Sequence, residues 1–334
     1  MNPRNTPVDL LFVVAPNSLL LDIAGPAEAF RMANLWLTDH KQPPHFRLRF
    51  AAPAANSMTS VGLALASLEP LPKTLGPSTW VVIVGQPTVH ARQLTPAING
   101  IAHWLRRVVR EPLLAPGTRN RLVTVCSGAL IAARAGLMDE RLCTTHHDML
   151  GNLRSIAPRA RVMENRVFVI DGPVASSAGV TAGIDLTLQL IADECGEALA
   201  AAVAEDMVVY LRRSQRDPEL SPFLVNRRHE HSAVHRVQAA VSGDPEHDWN
   251  MPEMARLGHV TERHLLRLFI RHAGVSPLQF LRTVRLERAR QLIERGTGIG
   301  RAAQEAGFRS ALHMRRAWMR QWGGSPSDAL GGNA

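Results

Sequence analysis

The sequence predicts a doubly wound α/β domain, followed by an all-α domain that contains two helix-turn-helix subdomains. Up to about residue 211, apolar β-rich runs alternate with helical patterns, an order typical of a parallel sheet with helices on both faces. Near the C-terminus one basic helical element occurs twice, with a separation of 49 residues. The net charge of +9 is concentrated toward this duplicated region.

The elements of the first domain follow one another as short strands and amphipathic helices. Residues 8–15 form an apolar, β-rich run, which is expected of a strand buried on both faces. The helix predicted at 96–109 places Ile98, Ile101, Ala102, Leu105 and Val109 on one side. The other predicted elements are a helix at 22–37, strands at 46–52, 80–85 and 121–125, a helix at 129–135, a hairpin at 162–174 that turns at Asn165-Arg166, and helices at 180–195 and 196–211.

A cysteine stands where one predicted strand turns into a helix. In Val-Thr-Val-Cys-Ser-Gly at 123–128, Cys126 occupies the position of a nucleophile elbow, and ligands of such sheets bind at the carboxyl ends of the strands. The helix N-terminus is expected to lower the pKa of its thiol. Asp22 and Glu28 follow the first strand and are placed to reach the same edge. The alternatives are that Cys126 is a small core residue, and that Asp22 and Glu28 are a helix cap and a first-turn acid.

The duplicated element has the start and stop signals of a helix in both copies. Residues 261–277 align with 310–326, with identical His, Arg, Arg, Gly, Ser and Pro, and with Phe269 matched by Trp318. Each copy has a Thr or Ser N-cap and ends at Gly before Ser-Pro. A shorter apolar segment precedes each copy, at 251–257 and 299–306, across a turn that contains Gly258 or Gly307. Two tandem helix-turn-helix units are therefore predicted, each with a basic second helix that can enter a major groove.

The first turns of these two basic helices supply the candidate base contacts. They are Glu262, Arg263, Leu266 and Arg267 in the first copy, and Ala311, Leu312, His313 and Arg316 in the second. Arginine can bind guanine O6 and N7 together, and glutamate can accept from cytosine N4. For Arg271 and Arg320, phosphate contact or a solvated position is the favoured interpretation, and it stays the alternative for the other arginines. His264 and His313 recur, which shared packing explains better than base contact.

The charge distribution separates the two predicted domains. Residues 1–211 contain 18 Lys/Arg and 17 Asp/Glu, whereas residues 212–240 contain 6 and 3, and residues 241–334 contain 14 and 9. The near-neutral first part is therefore expected to be a binding or catalytic domain, and the basic last part is expected to face a polyanion. The three cysteines lack metal-ligand spacing, and neither a signal peptide nor an apolar run of roughly 20 residues is present. We expect a cytoplasmic protein with no membrane span, no metal site and no cofactor.

Five motifs of the first domain resemble those of the DJ-1/PfpI-like, class I glutamine amidotransferase-like sensor domain. They are Leu-Asp-Ile-Ala-Gly-Pro-Ala-Glu at 21–28, Val-Cys-Ser-Gly-Ala at 125–129, Ala-Gly-Leu at 135–137, Thr-Thr-His at 144–146 and Ser-Ala-Gly-Val-Thr-Ala-Gly-Ile-Asp at 177–185. With the duplicated helices, they resemble the GlxA-like group of AraC/XylS regulators over residues 8–330. The resemblance implies a flavodoxin-like sensor and dimerisation domain at 8–211, a linker at 212–231 and a DNA-binding domain at 232–330, in which a long helix at 277–295 joins the two subdomains.

One departure from the family bears on chemistry. Enzymes of this superfamily usually place His directly after the elbow Cys, but this chain has Ser127, and a Cys without a positioned base is a weak nucleophile. The resemblance therefore implies an effector pocket without catalytic residues. Its candidate residues are Asp22, Glu28, Cys126, Ser127 and His146.

The function implied is that of a sequence-specific DNA-binding regulator that is not an enzyme. We expect an activator that forms a homodimer, binds double-stranded DNA, contacts RNA polymerase and responds to a small polar effector, such as an amino acid or a quaternary amine. A quaternary ammonium would need an aromatic cage, for which Phe30, Trp36 and Trp80 are candidates. The alternative is an isonitrile-hydratase-like enzyme that uses Cys126 with a carboxylate such as Asp22 and carries an appended DNA-binding domain.

Overall fold

A seven-stranded, mostly parallel sheet forms the centre of the N-terminal unit in the computed structural model. The structure describes residues 6–209, 212–215, 217, 219, 229, 231–294 and 296–329, and the chain divides into two units after Glu219. The strands are β1 (Val8–Val13), β2 (Phe46–Ala52), β3 (Ser57–Met58), β4 (Ala64–Leu65), β5 (Glu69–Pro70), β6 (Thr79–Ile83), β7 (Arg121–Val125), β8 (Leu142–Cys143), β9 (Arg161–Val162), β10 (Phe168–Asp171) and β11 (Val174–Ser177). The main sheet has the order β10-β11-β7-β6-β1-β2-β5, and only β10 and β11 pair antiparallel. The predicted doubly wound sheet is confirmed, with one antiparallel strand at its edge.

Helices cover both faces of this sheet, as the apolar run of β1 requires. Leu10 and Phe12 belong to one core, whereas Leu11 and Val13 belong to the other, because successive side chains of a strand point to opposite faces. The first core contains α1 (Leu20–Asp39), α7 (Ala182–Cys195) and α8 (Glu197–Asp206), and the second contains α3 (Pro96–Trp104), α4 (Arg110–Leu114), α5 (Gly128–Arg134) and α6 (Leu150–Ile156). A short helix, α2 (Thr88–Ala91), follows β6. No helix in the described part of the chain has the length and apolar character that a membrane span needs.

The predicted hairpin at 162–174 is wrong. The antiparallel pair is β10 and β11, which turns at Gly172, and Gly172 has a φ of 60° that favours glycine. Asn165 also has a positive φ, of 51°, but it bends the chain between β9 and β10. Strand β9 pairs with β8 in a separate two-stranded sheet. Its partner lies about twenty residues earlier in the chain, so the local pattern does not reveal the pairing.

Two predicted helices also differ in detail from the structure. The helix expected at 96–109 is α-helical only to Trp104, and a π-helical segment, Leu105–Val109, joins it to α4. The helix expected at 196–211 ends at Asp206, while residues 210 and 211 lie outside the described residues. Most of the predicted linker at 212–231 lies outside them as well.

The C-terminal unit consists of short helices around two separate apolar cores. Its helices are α9 (Ser232–Gly243), α10 (Met251–Gly258), α11 (Glu262–Ala273), α12 (Pro277–Glu294), α13 (Ile299–Glu305) and α14 (Ala311–Trp322). The first half of α12 packs with α9, α10 and α11, and its second half packs with α13 and α14. Each helix-turn-helix therefore has its own core, and one helix belongs to both cores.

The predicted starts and stops of the two basic helices are confirmed. The Thr261 hydroxyl accepts from the His264 N–H at 3.3 Å, and the Ser310 hydroxyl accepts from the His313 N–H at 3.2 Å. Both helices end at a glycine in the left-handed region, Gly274 or Gly323. In the first tight turn, the left-handed residue is His259 and not Gly258, which is buried as the last residue of α10.

Candidate effector pocket and nucleic-acid interface

Cys126 lies at a strained turn directly after β7. Its φ is 55°, in the left-handed region that non-glycine residues rarely adopt. Its N–H donates to the Ser177 carbonyl at 3.2 Å, and its carbonyl accepts from the Thr145 hydroxyl at 2.8 Å. A Cβ on Gly128 would lie 2.2 Å from the Ile83 carbonyl oxygen. The turn is thus held by neighbouring strands, and only glycine fits at the start of α5.

Asp22 lies beside this cysteine in the first turn of α1. Its side chain is fully buried, and one oxygen, Oδ2, accepts from the Gly85 N–H at 3.1 Å. The other oxygen, Oδ1, is buried without a hydrogen-bond partner within the described part of the chain. A Cβ on Gly85 would lie 2.6 Å from Asp22 Oδ2 and 2.8 Å from Cys126 Cβ. Asp22 and Cys126 therefore approach each other across the backbone of Gly85, where no side chain fits.

The electrostatics of the pair oppose a reactive thiolate. Burial, and then the nearby Asp22 carboxyl, raise the pKa of Cys126 to about 12. Burial also raises the pKa of Asp22 to about 7, against the opposing hydrogen bond from Gly85. The expected lowering of the Cys126 pKa by the helix N-terminus is therefore wrong, because loss of hydration outweighs the field of the short helix α5.

The pKa of Asp22 leads to a pH-dependent stability. A carboxyl whose pKa is higher in the folded state stabilises the fold at low pH, and this contribution is lost as the pH rises through the folded pKa. We expect Asp22→Asn to be more stable than the wild type at alkaline pH. The difference between their free energies of unfolding should grow by about 2–3 kcal/mol between about pH 5 and pH 8. Urea unfolding of both proteins at the two pH values measures it. A difference that stays constant would contradict the burial of an ionisable Asp22.

The other pocket candidates divide into residues near this pair and residues away from it. His146 packs against Gly179, where a Cβ would lie 2.7 Å from the imidazole Cδ2, and it follows Thr145, which contacts Cys126. Ser127 is buried, and its hydroxyl both donates to the Gln86 carbonyl at 2.8 Å and accepts from its N–H at 2.7 Å. Its hydrogen-bonding capacity is thus used by the fold.

Glu28 lies away from Asp22 and Cys126. It lies six residues after Asp22 on the same helix, which rotates it by about 240° around the axis. Its side chain is 51% exposed and forms an ion pair with Arg31 at 2.6 Å. The aromatic candidates for a cage lie away from Asp22 and Cys126 as well. Phe30 and Trp80 are buried in the core and pack against Phe46.

One cluster of possible metal ligands lies on the same loop. His146, His147 and Asp148 have ligand atoms within 4.8 Å of one another. The two imidazole rings stack with their centroids 4.1 Å apart. The Nδ1 atoms also have protein partners: that of His146 accepts from the Asp148 N–H, and that of His147 contacts Glu219 at 2.8 Å. Both imidazoles are therefore held in place by the protein through their Nδ1 atoms.

The exposed faces of α11 and α14 carry most of the predicted DNA contacts. On α11, Leu265, Leu268 and Phe269 are buried, while Glu262, Arg263, Leu266, Arg267 and Arg271 are exposed. On α14, Met314, Ala317 and Trp318 are buried, while Leu312, His313, Arg316 and Arg320 are exposed. Ala311 is half-buried and packs against the second core. The Arg267 guanidinium donates to His264 Nδ1 at 2.9 Å, which holds it along the exposed face.

Two exposed apolar residues on these faces were missed by the sequence reasoning. Ile270 is 56% exposed and Met319 is 53% exposed, and they are equivalent under the 49-residue shift. Each lies about one turn after the central arginine of its helix, Arg267 or Arg316. Apolar side chains at such positions can contact the methyl group of thymine. The 49-residue repeat could have revealed them, because in both copies an apolar residue lies between a buried aromatic residue and an arginine.

Contacts around α12 fix the two helix-turn-helix units relative to each other. The Arg285 guanidinium donates to the carbonyls of Pro245 and His247, each at 2.7 Å. Gly307, in the tight turn of the second unit, has a φ of 79°, and a Cβ there would lie 2.7 Å from the Pro245 carbonyl oxygen. The second turn therefore rests on the segment before α10, and the spacing of α11 and α14 is set by the fold.

Comparison with known proteins agrees with this two-part architecture. A model of the DJ-1/PfpI family matches residues 105–193, and a model described as a helix-turn-helix domain matches residues 254–331. The HTH-type transcriptional regulator CdhR of Pseudomonas aeruginosa is 30% identical over 328 residues, which cover 96% of this chain and 90% of CdhR. This chain belongs to the AraC-type regulators with an N-terminal DJ-1/PfpI domain. It is therefore a DNA-binding transcriptional regulator.

Two further relatives of this AraC-type regulator have the same kind of name. The HTH-type transcriptional regulator GlxA of Rhizobium meliloti is 29% identical over 327 residues, covering 94% of this chain and 93% of GlxA. The HTH-type transcriptional regulator GbdR of Pseudomonas aeruginosa is 33% identical over 211 residues, covering 63% of this chain and 57% of GbdR. All three names describe regulators and none describes an enzyme.

Proposed function

We propose that this regulator activates transcription in response to a small polar metabolite that binds beside Asp22 and Cys126. The observation that carries the proposal is the buried Asp22 Oδ1, which lacks a partner within the described residues. A buried acceptor without a partner costs about 1–3 kcal/mol, and a ligand that donates a hydrogen bond would recover this free energy. The carboxyl edge of the sheet is also where such folds bind ligands.

Chemistry at this site favours an effector with an N–H donor, such as an amino acid. A quaternary ammonium has no N–H to donate to Asp22 Oδ1. Phe30 and Trp80 are buried in the core and Trp36 stacks on His40, so these three candidates do not form an aromatic cage. Asp22 and Cys126 are both buried beneath neighbouring side chains. The side chains that cover the pair must therefore move when the effector enters, and this movement is the signal that we propose.

The approach of Asp22 to Cys126 also keeps a second function open, that of an isonitrile-hydratase-like enzyme. In that alternative, the carboxyl group would assist attack by the thiol. The raised pKa of Cys126 opposes it, because the thiol stays protonated at neutral pH.

Cys126→Ser separates the two functions. A thermal-shift screen of the full chain first identifies an amino acid that binds. If Cys126 lines an effector pocket, the variant should weaken the response to this amino acid by at least about tenfold, because a contact group is altered. The affinity of the ligand-free protein for DNA should stay within about twofold. The control is Ser155→Ala, on the exposed part of α6. Ala129→Ser lies closer to Cys126 but is unsuitable, because Ala129 is buried. A turnover that disappears in Cys126→Ser would establish the enzyme.

We also propose that the N-terminal unit forms a homodimer and that the DNA-bound activator contacts RNA polymerase in the cytoplasm. Exposed apolar residues support a self-association surface, since Met58, Val61 and Leu63 are at least half-exposed on the β3–β4 hairpin. This hairpin joins the start of α1 through a bridge between Ser18 and Thr59, near the exposed Leu21. Sedimentation equilibrium of the full chain should give a dimer, and a monomer would exclude this part of the proposal.

A further inference from the structure

A cavity at the edge of the sheet opposite Cys126 is the strongest unassigned feature of the N-terminal unit. It has a volume of about 430 Å³ and lies where β6 and β7 begin, whereas Cys126 follows the end of β7. Leu114, which is half-exposed, supplies apolar surface, and Arg119, Arg121 and Arg141 line the same space. Pockets of this size accommodate small molecules.

The cavity contains more positive charge than its carboxylates neutralise. Glu194 is the one acidic residue in its lining, and it is shared by Arg119 at 2.5 Å and His45 at 3.0 Å. The nearest carboxylate to Arg141 is that of Asp171, at 3.9 Å, and its other oxygen accepts from the Leu142 N–H.

Arg121 has a different environment from the other two arginines. Its guanidinium carbon lies 5.3 Å from the centroid of the Trp80 ring, and no carboxylate pairs with it in the described part of the chain. Stacking on an aromatic ring holds the guanidinium in place and leaves its N–H donors for a ligand. Three arginines and one glutamate give the lining a net charge of +2, although residues 1–211 carry 18 Lys/Arg against 17 Asp/Glu.

We propose that this cavity binds a small anion with at least two carboxylate or phosphate groups. Guanidinium groups bind both kinds of oxyanion through paired hydrogen bonds. Arg121 and Arg141 would contact the two anionic groups, and Leu114 would contact the carbon skeleton or the bridging atoms. The site is separate from Asp22 and Cys126, so it is a second ligand site on the sensor unit and does not depend on the effector pocket.

Isothermal titration calorimetry of the full chain with citrate, and separately with pyrophosphate, tests the proposal at constant ionic strength. We expect saturable binding of one anion per chain, weakened by about 10- to 100-fold in Arg121→Gln and in Arg141→Gln, since each variant loses charge-assisted hydrogen bonds. Arg31→Gln, on the exposed face of α1 and outside the cavity, is the matched control and should bind like the wild type. Cys126→Ser should also bind like the wild type, which separates this site from the effector pocket.

The outcomes distinguish the sources of binding. Binding of citrate alone or of pyrophosphate alone supports the site and identifies its preferred head group. Absence of saturable binding by either anion overturns the proposal. Binding that survives both Arg121→Gln and Arg141→Gln also overturns it, because the anion is then held elsewhere, for example on the basic C-terminal unit. Thermal unfolding of each variant verifies that the sensor unit is folded.

Discussion

Phe269→Ala and Trp318→Ala are each expected to abolish specific DNA binding by unfolding one helix-turn-helix unit. The two residues are equivalent in the repeat, and each lies at the centre of its own core. Phe269 is fully buried and packs edge-on against Phe280, with ring centroids 6.1 Å apart. Truncation of such residues costs about 3–5 kcal/mol, which is a large fraction of the stability of a small domain, about 5–15 kcal/mol.

Hydrogen exchange measured by mass spectrometry locates the damage. Phe269→Ala should raise the exchange of the amides in α11, and Trp318→Ala should raise it in α14, because the two cores are separate. Leu266→Ala is the matched control, an apolar truncation on the exposed face of α11, and should change stability by less than about 0.5 kcal/mol. If Phe269→Ala retained both amide protection and DNA affinity, the central place of Phe269 in the core would be refuted.

Signals confined to neighbouring residues were sufficient to predict much of this fold. The apolar run of β1 predicts a strand with both faces covered, because both faces require apolar residues. The N-caps Thr261 and Ser310 and the glycines after α11 and α14 define the ends of those helices, because each satisfies backbone groups within one turn. Helical rotation alone could also have separated Glu28 from Asp22.

Features that depend on distant residues were not predictable from the sequence. The pairing of β8 with β9 and the turn at Gly172 are decided by which strand is available as a partner. The pKa of Cys126 depends on what covers the thiol, and burial cannot be derived from the turn motif. The cavity lined by Arg121 and Arg141 brings together residues that lie far apart in the sequence, from Trp80 to Glu194.

Arg267→Ala and Arg316→Ala are expected to weaken operator binding by about 1–3 kcal/mol each, which is the loss expected if each arginine makes a bidentate contact to guanine. The two arginines occupy equivalent exposed positions, each two residues before the buried aromatic Phe269 or Trp318. Titration of the variants against an operator selected from random duplexes measures the loss. Arg271→Ala and Arg320→Ala are the controls. If these arginines contact phosphates, each substitution should weaken binding to all sequences alike. Each should also lower the slope of log K against log salt concentration by about 1.

The base preference of these variants tests the central claim most directly, namely that two helices in a fixed arrangement recognise one operator. Binding of the wild type, Arg267→Ala and Arg316→Ala should be measured against every single-base variant of the selected operator. Because α12 fixes the spacing of α11 and α14, each variant should lose preference at one position, with the two positions about 10 base pairs apart. Uniform weakening across all sequences would contradict this, and the bases would then have to be recognised by Glu262, Arg263, Leu312 or His313.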